Sequence, residues 1–230
     1  MGTPSAYEAA AAGHRPPAEG APESPPALRP AEGVQLTPIV VGIHGPLRSG
    51  KDTFARCLIE NYGFTRLGFA DGLKAEVMQR FQRTLRAYVR AGYPATPANL
   101  IDQSVWTLIY ADRDPFTRAL LQEYGTEVRR ADNPDYWVDR WLDSVRAAFH
   151  EGCPRIVAPD VRFLNEADAI RNLKGYLVKI NSRRMDPMGL SPHASENPLQ
   201  GPWHFVAANT GGVADLQEEA ETFAKGVLKL

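Results

Sequence analysis

A short glycine-rich stretch constrains the fold of this chain more than any other part of the sequence. Gly45 and Gly50 are separated by four residues, and Lys51 follows the second glycine directly. This is P-loop spacing, in which consecutive backbone N–H groups surround a phosphate and the lysine reaches its outer oxygens. An apolar run over residues 39–43 precedes the stretch, and a helical pattern over residues 54–59 follows it. These flanks favour strand, phosphate loop and helix over a glycine-rich turn that merely carries a lysine.

One position departs from the usual motif, in which Ser or Thr follows the lysine and binds Mg²⁺ through its hydroxyl. Here Asp52 follows Lys51, and Thr53 comes next. A carboxylate is a hard oxygen ligand and is favourable at a helix N-terminus, so a metal role is retained, directly or through water. Simple helix-dipole complementarity is the alternative for Asp52. We expect Thr53 to bind an inner phosphate.

The composition excludes several classes of protein. Lys and Arg number 26 against 27 Asp and Glu, so the charge balance does not indicate a dedicated nucleic-acid binder. Cys57 and Cys153 show neither metal-ligand spacing nor a disulfide framework, which fits a reducing cytoplasm. No stretch reaches the ~18 consecutive apolar residues of a membrane helix, and the N-terminus lacks a signal-peptide pattern. We expect a soluble, cytoplasmic protein without membrane contact.

The chain divides by composition into a tail and one domain. Residues 1–36 are rich in Ala, Pro, Glu and Gly without apolar periodicity, which predicts a disordered tail. Residues 37–230 alternate strand and helix patterns, which predicts an α/β domain of about five parallel strands flanked by helices.

An acidic and a basic residue follow the second predicted strand, which covers residues 63–70. A helix is predicted to start at Asp71 and run toward residue 91, with Asp71 as its N-cap. Asp71 and Lys74 also lie one turn apart at the carboxyl end of a strand, where doubly wound sheets bind ligands. The two interpretations are compatible.

A pair of arginines follows the next predicted helix, which starts at Asp114 and Pro115 and ends at residues 124–125. Arg129 and Arg130 therefore fall at or just past its end. An arbitrary pair there would be a solvated turn, but beside a P-loop an arginine fork for a second phosphate is favoured.

The following helix carries Trp137, Trp141, Val145 and Phe149 at spacings of four. Such a stripe is typical of core packing, and stacking of Trp137 on a nucleobase is the alternative.

A carboxylate ends the next predicted strand, over residues 155–160. Asp160 occupies the position from which an acidic residue reaches the Mg²⁺ shell in P-loop enzymes, and Arg162 lies two residues further on. A later loop carries Arg183 and Arg184, which suits a short mobile lid that closes over phosphates. In the same loop, His193 is open to interpretation as a packed loop histidine, and Glu196 with its neighbour Ser195 as a local cap.

As an ordered set, these motifs resemble those of bacteriophage deoxynucleoside monophosphate kinases, a family of the P-loop nucleotide kinase clan, from about residue 39 to the C-terminus. The matching pieces are Gly45-x4-Gly50-Lys51-Asp52-Thr53, Phe69-Ala70-Asp71-x2-Lys74, Leu121-Gln122-x2-Gly125-Thr126-Glu127-x2-Arg130, Asp160-Val161-Arg162-Phe163-x-Asn165-Glu166 and His193-x-Ser195-Glu196.

The resemblance implies a P-loop kinase fold and ATP-dependent phosphoryl transfer to a deoxynucleoside monophosphate. ATP phosphates would lie in the loop, with Lys51 neutralising charge and Asp52 and Asp160 holding Mg²⁺. The implied ATP-binding residues are Gly45, Arg48, Ser49, Gly50, Lys51, Asp52, Thr53, Asn209 and Gly211. Asn209 and Gly211 lie in a strand and turn similar to the adenine-contacting segment of nucleotide kinases.

The resemblance also implies an acceptor site over Asp71 and Lys74. The acceptor phosphate would be gripped by Arg129 or Arg130 and by Arg162, while Arg183 and Arg184 arrive from the lid. The other implied acceptor-binding residues are Gln122, His193 and Glu196. If the chain is encoded by a phage, the compartment is the host cytoplasm.

Two other functions remain open from the sequence. A kinase of the same lineage that phosphorylates a hydroxymethylpyrimidine in phage DNA would need a base, for which Asp71 is the candidate. A P-loop module that binds nucleotide only as a switch would leave the arginines from Arg129 to Arg184 without a purpose. The number of subunits is also open, with a homodimer as one alternative.

Overall fold

A computed structural model describes residues 37–90, 109, 115–182 and 199–230. The predicted tail over residues 1–36 and the loop over residues 92–99 lie outside the described residues. So do several predicted site and cap residues, namely Asp114, Arg183, Arg184, His193, Ser195 and Glu196.

Five strands form one parallel sheet in the described part of the chain, which confirms the predicted α/β architecture. The strands are β1 (Ile39–His44), β2 (Thr65–Arg66), β3 (Arg155–Ala158), β4 (Tyr176–Ser182) and β5 (Phe205–Asn209). Their order across the sheet is β2-β3-β1-β4-β5.

Helices cover both faces of this sheet. They are α1 (Lys51–Tyr62), α2 (Phe69–Arg90), α3 (Pro115–Gln122), α4 (Tyr136–His150), α5 (Leu164–Asn172) and α6 (Val213–Phe223). Two of them continue as π-helix, α3 through Glu123–Arg130 and α6 through Ala224–Leu228. No described helix is long and apolar enough to cross a bilayer.

The central strand β1 reads as a continuous apolar run because helices cover it on both sides. On one face, Val41 and Ile43 pack in a cluster with Phe54 of α1 and Phe223 of α6. On the other face, Val40 belongs to a second cluster built largely from α4 and α5.

The topology brings two of the predicted motifs to one edge of the sheet. Strand β1 lies between β3 and β4, and Gly42 of β1 is in register with Ala158 of β3. The loop after β1 and Asp160 after β3 therefore leave the sheet side by side. In open α/β sheets this carboxyl edge, where the chain connections diverge, is the place for ligands.

The predicted start of α2 was wrong by two residues, and β2 is much shorter than predicted. Helix α2 begins at Phe69, so Asp71 lies inside its first turn and is not the N-cap. The Asp71 carboxylate accepts a hydrogen bond from the N–H of Gly68 at 2.7 Å. The N–H groups of Phe69 and Ala70 are instead bound by Asp160, a residue distant in sequence, which is why the local pattern misplaced the cap.

The predicted end of α3 at Gly125 was also wrong. Gly125 is buried inside the π-helical continuation, and a Cβ atom there would lie 2.9 Å from Cδ2 of Leu73. The glycine therefore allows α2 and α3 to approach closely and does not end a helix. As a consequence, Arg129 and Arg130 lie on the last helical turn and not past the end of the helix.

Core packing is confirmed for the aromatic stripe of α4. Trp137 is 3% exposed, and its Nε1 donates to the carbonyl oxygen of Gly125 at 3.0 Å. Trp141 and Val145 are equally buried, and Phe149 is partly buried against the same core. The alternative role of Trp137 in base stacking is therefore wrong.

Candidate active site

The loop after β1 has the backbone conformation of an anion-binding loop. Gly50 adopts a left-handed conformation with φ of 96°, and Arg48 has a φ of 60°. Helix α1 starts at Lys51 with Gly50 as its N-cap. Left-handed residues beside right-handed ones turn successive N–H groups toward one side, and the helix N-terminus adds its own unpaired donors. This backbone geometry suits the binding of an anion by N–H groups of the loop and of the first turn of α1.

Two side chains of the loop fit a phosphate ligand. The ammonium group of Lys51 donates to the carbonyl oxygens of Gly45 at 2.7 Å and Pro46 at 2.5 Å, which holds it over the loop. The hydroxyl of Ser49 is buried without a hydrogen-bond partner in the described part of the chain. Because an unpaired buried hydroxyl is costly, a ligand oxygen beside Ser49 would be stabilising.

Asn209 supports the phosphate loop from the end of β5. Its Nδ2 donates to the carbonyl oxygen of Ser49 at 2.9 Å. Gly211 follows in the turn before α6, where a Cβ atom would lie 2.5 Å from Oδ2 of Asp215. This turn is therefore next to the loop, and Asn209 holds the loop in place. The predicted adenine contacts of Asn209 and Gly211 remain predictions.

An arginine that the motif analysis missed lies among the predicted acidic site residues. Arg66, at the end of β2, donates to both carboxylate oxygens of Asp71 at 3.0 and 2.8 Å. Burial opposes protonation of Arg66, but the carboxylates of Asp71, Asp160 and Asp52 raise its pKa above the ordinary value. Asp71 thus pairs directly with this guanidinium, and the charges of both predicted Mg²⁺ ligands act on it. The sequence signal was a basic residue inside the second predicted strand.

The acidic residues suit a metal ion that arrives with a nucleotide. Within the described ranges, no group of three or more His, Cys, Asp or Glu residues is placed to hold a metal ion. Mg²⁺ is commonly bound by one or two carboxylates together with water and substrate phosphates, so Asp52 and Asp160 fit that arrangement. Asp160 also has a structural role, because its two oxygens accept the N–H groups of Phe69 and Ala70 at 2.9 Å each.

The two adjacent arginines have different surroundings. Arg129 is paired with Glu76 of α2, and its side chain is 34% exposed. Arg130 is paired with Glu166 of α5, and its side chain is only 10% exposed. Arg130 also donates to the carbonyl oxygen of Pro134 at 3.0 Å. Arg130 therefore ties α3 to α5, whereas Arg129 keeps a solvent-accessible surface.

Glu166 is a buried carboxylate in the first turn of α5. It accepts hydrogen bonds from the N–H groups of Arg162 at 2.7 Å and Phe163 at 3.1 Å, in addition to its pair with Arg130. Burial raises the pKa of Glu166 to about 7, against the opposing effect of the Arg130 guanidinium and the two N–H groups. The sequence signal was the Asn-Glu that follows the Asp-x-Arg motif.

His44 links the end of β1 to two other segments. Its Nδ1 is 2.9 Å from the carbonyl oxygen of Val161, and the N–H of Leu199 donates to Nε2 at 3.3 Å. The two partners assign the proton to Nδ1, since only that nitrogen faces an acceptor. The ring stacks on Trp203 with 5.3 Å between centroids. His44 is therefore a buried neutral residue directly before the loop.

Three cations act on the imidazole of His44 through their charges. Burial lowers the pKa of His44; the hydrogen bond to Val161 opposes this, and the charges of Lys51, Lys179 and Arg162 lower the pKa further. Arg162 and Lys51 were predicted site residues, and the charges of both act on His44. Lys179, on β4, was missed because a single lysine in a strand pattern carries no motif.

The remaining predicted site residues occupy the surrounding helices. Thr53 lies in the first turn of α1, Lys74 in the second turn of α2, and Gln122 at the end of α3. All three side chains are partly buried.

A surface cleft of about 580 Å³ lies between the π-helical continuation of α3, the segment before α4 and the start of α5, lined by residues that include Arg130, Asp135, Phe163 and Asn165. None of its lining residues belongs to the phosphate loop, so we base no function on it.

Comparisons with known proteins point to kinases. The chain is 29% identical over 168 residues to a candidate deoxynucleotide monophosphate kinase of Acanthamoeba polyphaga mimivirus, with 62% of this chain and 74% of that protein covered. This match supports a relationship to nucleotide kinases. No family model matches the chain.

Two solved structures have a low similarity to this chain. One is a dephospho-CoA kinase from Campylobacter jejuni, with a TM-score of 0.44 and 15% identity over 81% of this chain and 95% of that chain. The other is a sugar kinase from a Janibacter species, with a TM-score of 0.40 and 18% identity over 84% of this chain and 96% of that chain.

Proposed function

We propose that this protein is an ATP-dependent kinase that transfers a phosphoryl group to a deoxynucleoside monophosphate and releases the diphosphate. The observation that carries the proposal is the phosphate loop, in which Lys51 is held over the loop by two of its carbonyl oxygens and the buried Ser49 hydroxyl has no partner within the described residues. The choice of acceptor rests on the similarity to the mimivirus protein and on the ordered motifs.

The ATP phosphates bind in the loop, where the backbone donors and Lys51 neutralise their charge. The loop residues assigned to ATP are Gly45, Arg48, Ser49, Gly50, Lys51, Asp52 and Thr53. Mg²⁺ is held by Asp52 and Asp160 with the phosphates and water. Asn209 acts on the nucleotide through the loop, and Gly211 lies in the adjoining turn.

The acceptor lies at the same edge of the sheet, beside Asp71 and Lys74 at the start of α2. We assign the grip on its phosphate to Arg129 and Arg162. Arg130 is less suited to this task, because Glu166 and the carbonyl oxygen of Pro134 already occupy it. A guanidinium fork suits an oxyanion better than an ammonium group does.

Phosphoryl transfer requires little covalent participation from the protein. A monophosphate acceptor is already an ionised nucleophile, so no general base is needed. Catalysis then depends on alignment of the two phosphates and on cations that stabilise the charge of the transferring group. Lys51 and Arg162 supply that charge in the described part of the chain, and Arg183 and Arg184 are predicted to add to it.

The test measures ADP release from Mg-ATP with each common deoxynucleoside monophosphate, its ribose counterpart and hydroxymethylpyrimidine-containing duplex DNA. We expect turnover with one or two free monophosphates. Turnover with DNA alone would overturn the proposal and make Asp71 the candidate base. Lys51→Ala should lower kcat by about 10²-fold or more, as loss of a transition-state charge contact does. Lys225→Ala, whose lysine side chain is 65% exposed on the last helical turns, is the matched control and should behave as wild type.

A further inference from the structure

Glu76 of α2 is the centre of a hydrogen-bonded cluster that the proposed function does not use. Its Oε1 accepts hydrogen bonds from the hydroxyl of Tyr124 at 2.6 Å and from Nε of Arg129 at 2.8 Å. Nη2 of Arg129 also binds Oε1, and the hydroxyl of Tyr136 donates to Oε2 at 2.8 Å. One carboxylate thus receives donors from both neighbouring helices, α3 and α4.

The tyrosines also flank the arginine itself. Cζ of Arg129 lies 5.6 Å from the ring centroid of Tyr124 and 4.9 Å from that of Tyr136, distances at which a ring attracts a cation. Nε and Nη2 of Arg129 are committed to Glu76, and Nη1 is not part of that pair. The cluster therefore fixes the direction of the guanidinium and leaves one amino group for another acceptor.

The cluster is close to the acceptor side of the site. Glu76 follows Gly72 by one helical turn, or about 6 Å along α2. Gly72 lies in the first turn of α2, which also carries Asp71. That turn begins with the N–H groups that Asp160 binds. The pair is sheltered, since the Glu76 side chain is only 16% exposed. Burial would raise the pKa of Glu76, but hydrogen bonds from Tyr124, Arg129 and Tyr136 lower it overall, so the carboxylate stays ionised.

We propose that Glu76, with Tyr124 and Tyr136, is a positioning residue that holds Arg129 in the orientation in which it binds the phosphate of the acceptor nucleotide. The proposal rests on the proposed function. An unrestrained arginine loses rotamer freedom when it binds an anion, whereas an arginine fixed beforehand does not. Glu76 therefore acts on acceptor binding through Arg129 and makes no contact with the nucleotides.

The test compares Glu76→Gln, Tyr136→Phe and Tyr124→Phe in the full chain. Each should raise KM for the monophosphate, about tenfold for Glu76→Gln, while KM for ATP stays within about twofold. Glu60→Gln and Tyr62→Phe on α1 are matched controls and should leave both constants unchanged. If Glu76→Gln does not fold, the two Tyr→Phe variants still test the proposal. An equal rise of both KM values would show a general structural defect and overturn the proposal.

A double-mutant cycle then tests the route through Arg129. In an Arg129→Ala background, Glu76→Gln should change KM for the monophosphate by less than about twofold, because the group it positions is gone. A further tenfold rise in KM for the monophosphate in that background would contradict the proposal.

Binding of the monophosphate, measured by calorimetry without ATP, separates the two proposals. One outcome is that the wild-type protein binds the monophosphate with the coupling between Glu76 and Arg129 and yet shows no turnover of ATP. In that case the kinase function fails and the positioning role stands. If wild type does not bind the monophosphate, both are overturned.

Discussion

Asp160 has two roles that one substitution can separate. Its carboxylate caps α2, with one oxygen on the N–H of Phe69 and the other on the N–H of Ala70, each at 2.9 Å. It is also a proposed Mg²⁺ ligand. Asp160→Asn keeps the size and one acceptor oxygen, but it removes the charge and turns an amide donor toward one of the two N–H groups.

The expected loss of stability follows from these contacts. A hydrogen bond to a charged group contributes about 1.5–3 kcal/mol, and replacing a helix cap costs about 0.5–2 kcal/mol. Because one of the two bonds survives in weakened form, we expect the free energy of unfolding to fall by about 2 kcal/mol. With a urea m-value of about 2 kcal/mol/M, the midpoint should drop by about 1 M.

The first assay is urea unfolding of the full chain. The second is a Mg²⁺ titration of turnover without denaturant, where the variant is folded. Asp168→Asn on α5 is the matched control, because the Asp168 side chain is 52% exposed and pairs with Arg171 of its own helix. The control should shift the midpoint little. An unchanged midpoint for Asp160→Asn would refute the capping argument, and an unchanged Mg²⁺ requirement would exclude Asp160 from the metal site.

Three further predictions concern the stability of the site. Gly50→Ala should cost about 1–3 kcal/mol in urea unfolding, because φ is 96° and the new Cβ would lie 2.2 Å from Cδ1 of Leu216. Glu166→Ala should cost about 3–5 kcal/mol in the same assay, since it removes the carboxylate that neutralises the largely sheltered Arg130; a loss under about 1 kcal/mol would contradict this. His44 stays neutral when folded, so its pKa is lower than the ordinary value of about 6.5 and the folded state binds fewer protons. The urea midpoint should therefore fall as the pH drops below about 6.5, and His44→Asn should reduce that dependence.

Local patterns in the sequence correctly predicted the parallel sheet and the strand, loop and helix around Lys51. The glycine spacing and the apolar run before Lys51 identified the strand, loop and helix, because each depends on residues within one short segment. The alternation of patterns predicted the five parallel strands, and a terminal carboxylate placed Asp160 at the edge that ligands use. These features follow from side-chain periodicity and backbone preference, which neighbouring residues determine.

Tertiary structure decided how the site residues are used. Gly125 looked like a helix end, yet it lies inside a helix because Leu73 and Trp137 pack against it. Arg129 and Arg130 are equivalent in the sequence, but Arg129, paired with Glu76, keeps 34% of its side chain exposed, whereas Arg130, paired with Glu166, keeps only 10%.

The carboxylates that bind those arginines lie 53 and 36 residues away in the chain. Partners that distant leave no periodic signal in the sequence. The sequence therefore determined which chemical groups reach the edge of the sheet, and the packing of α2, α3 and α5 decided which of them remain accessible to a ligand.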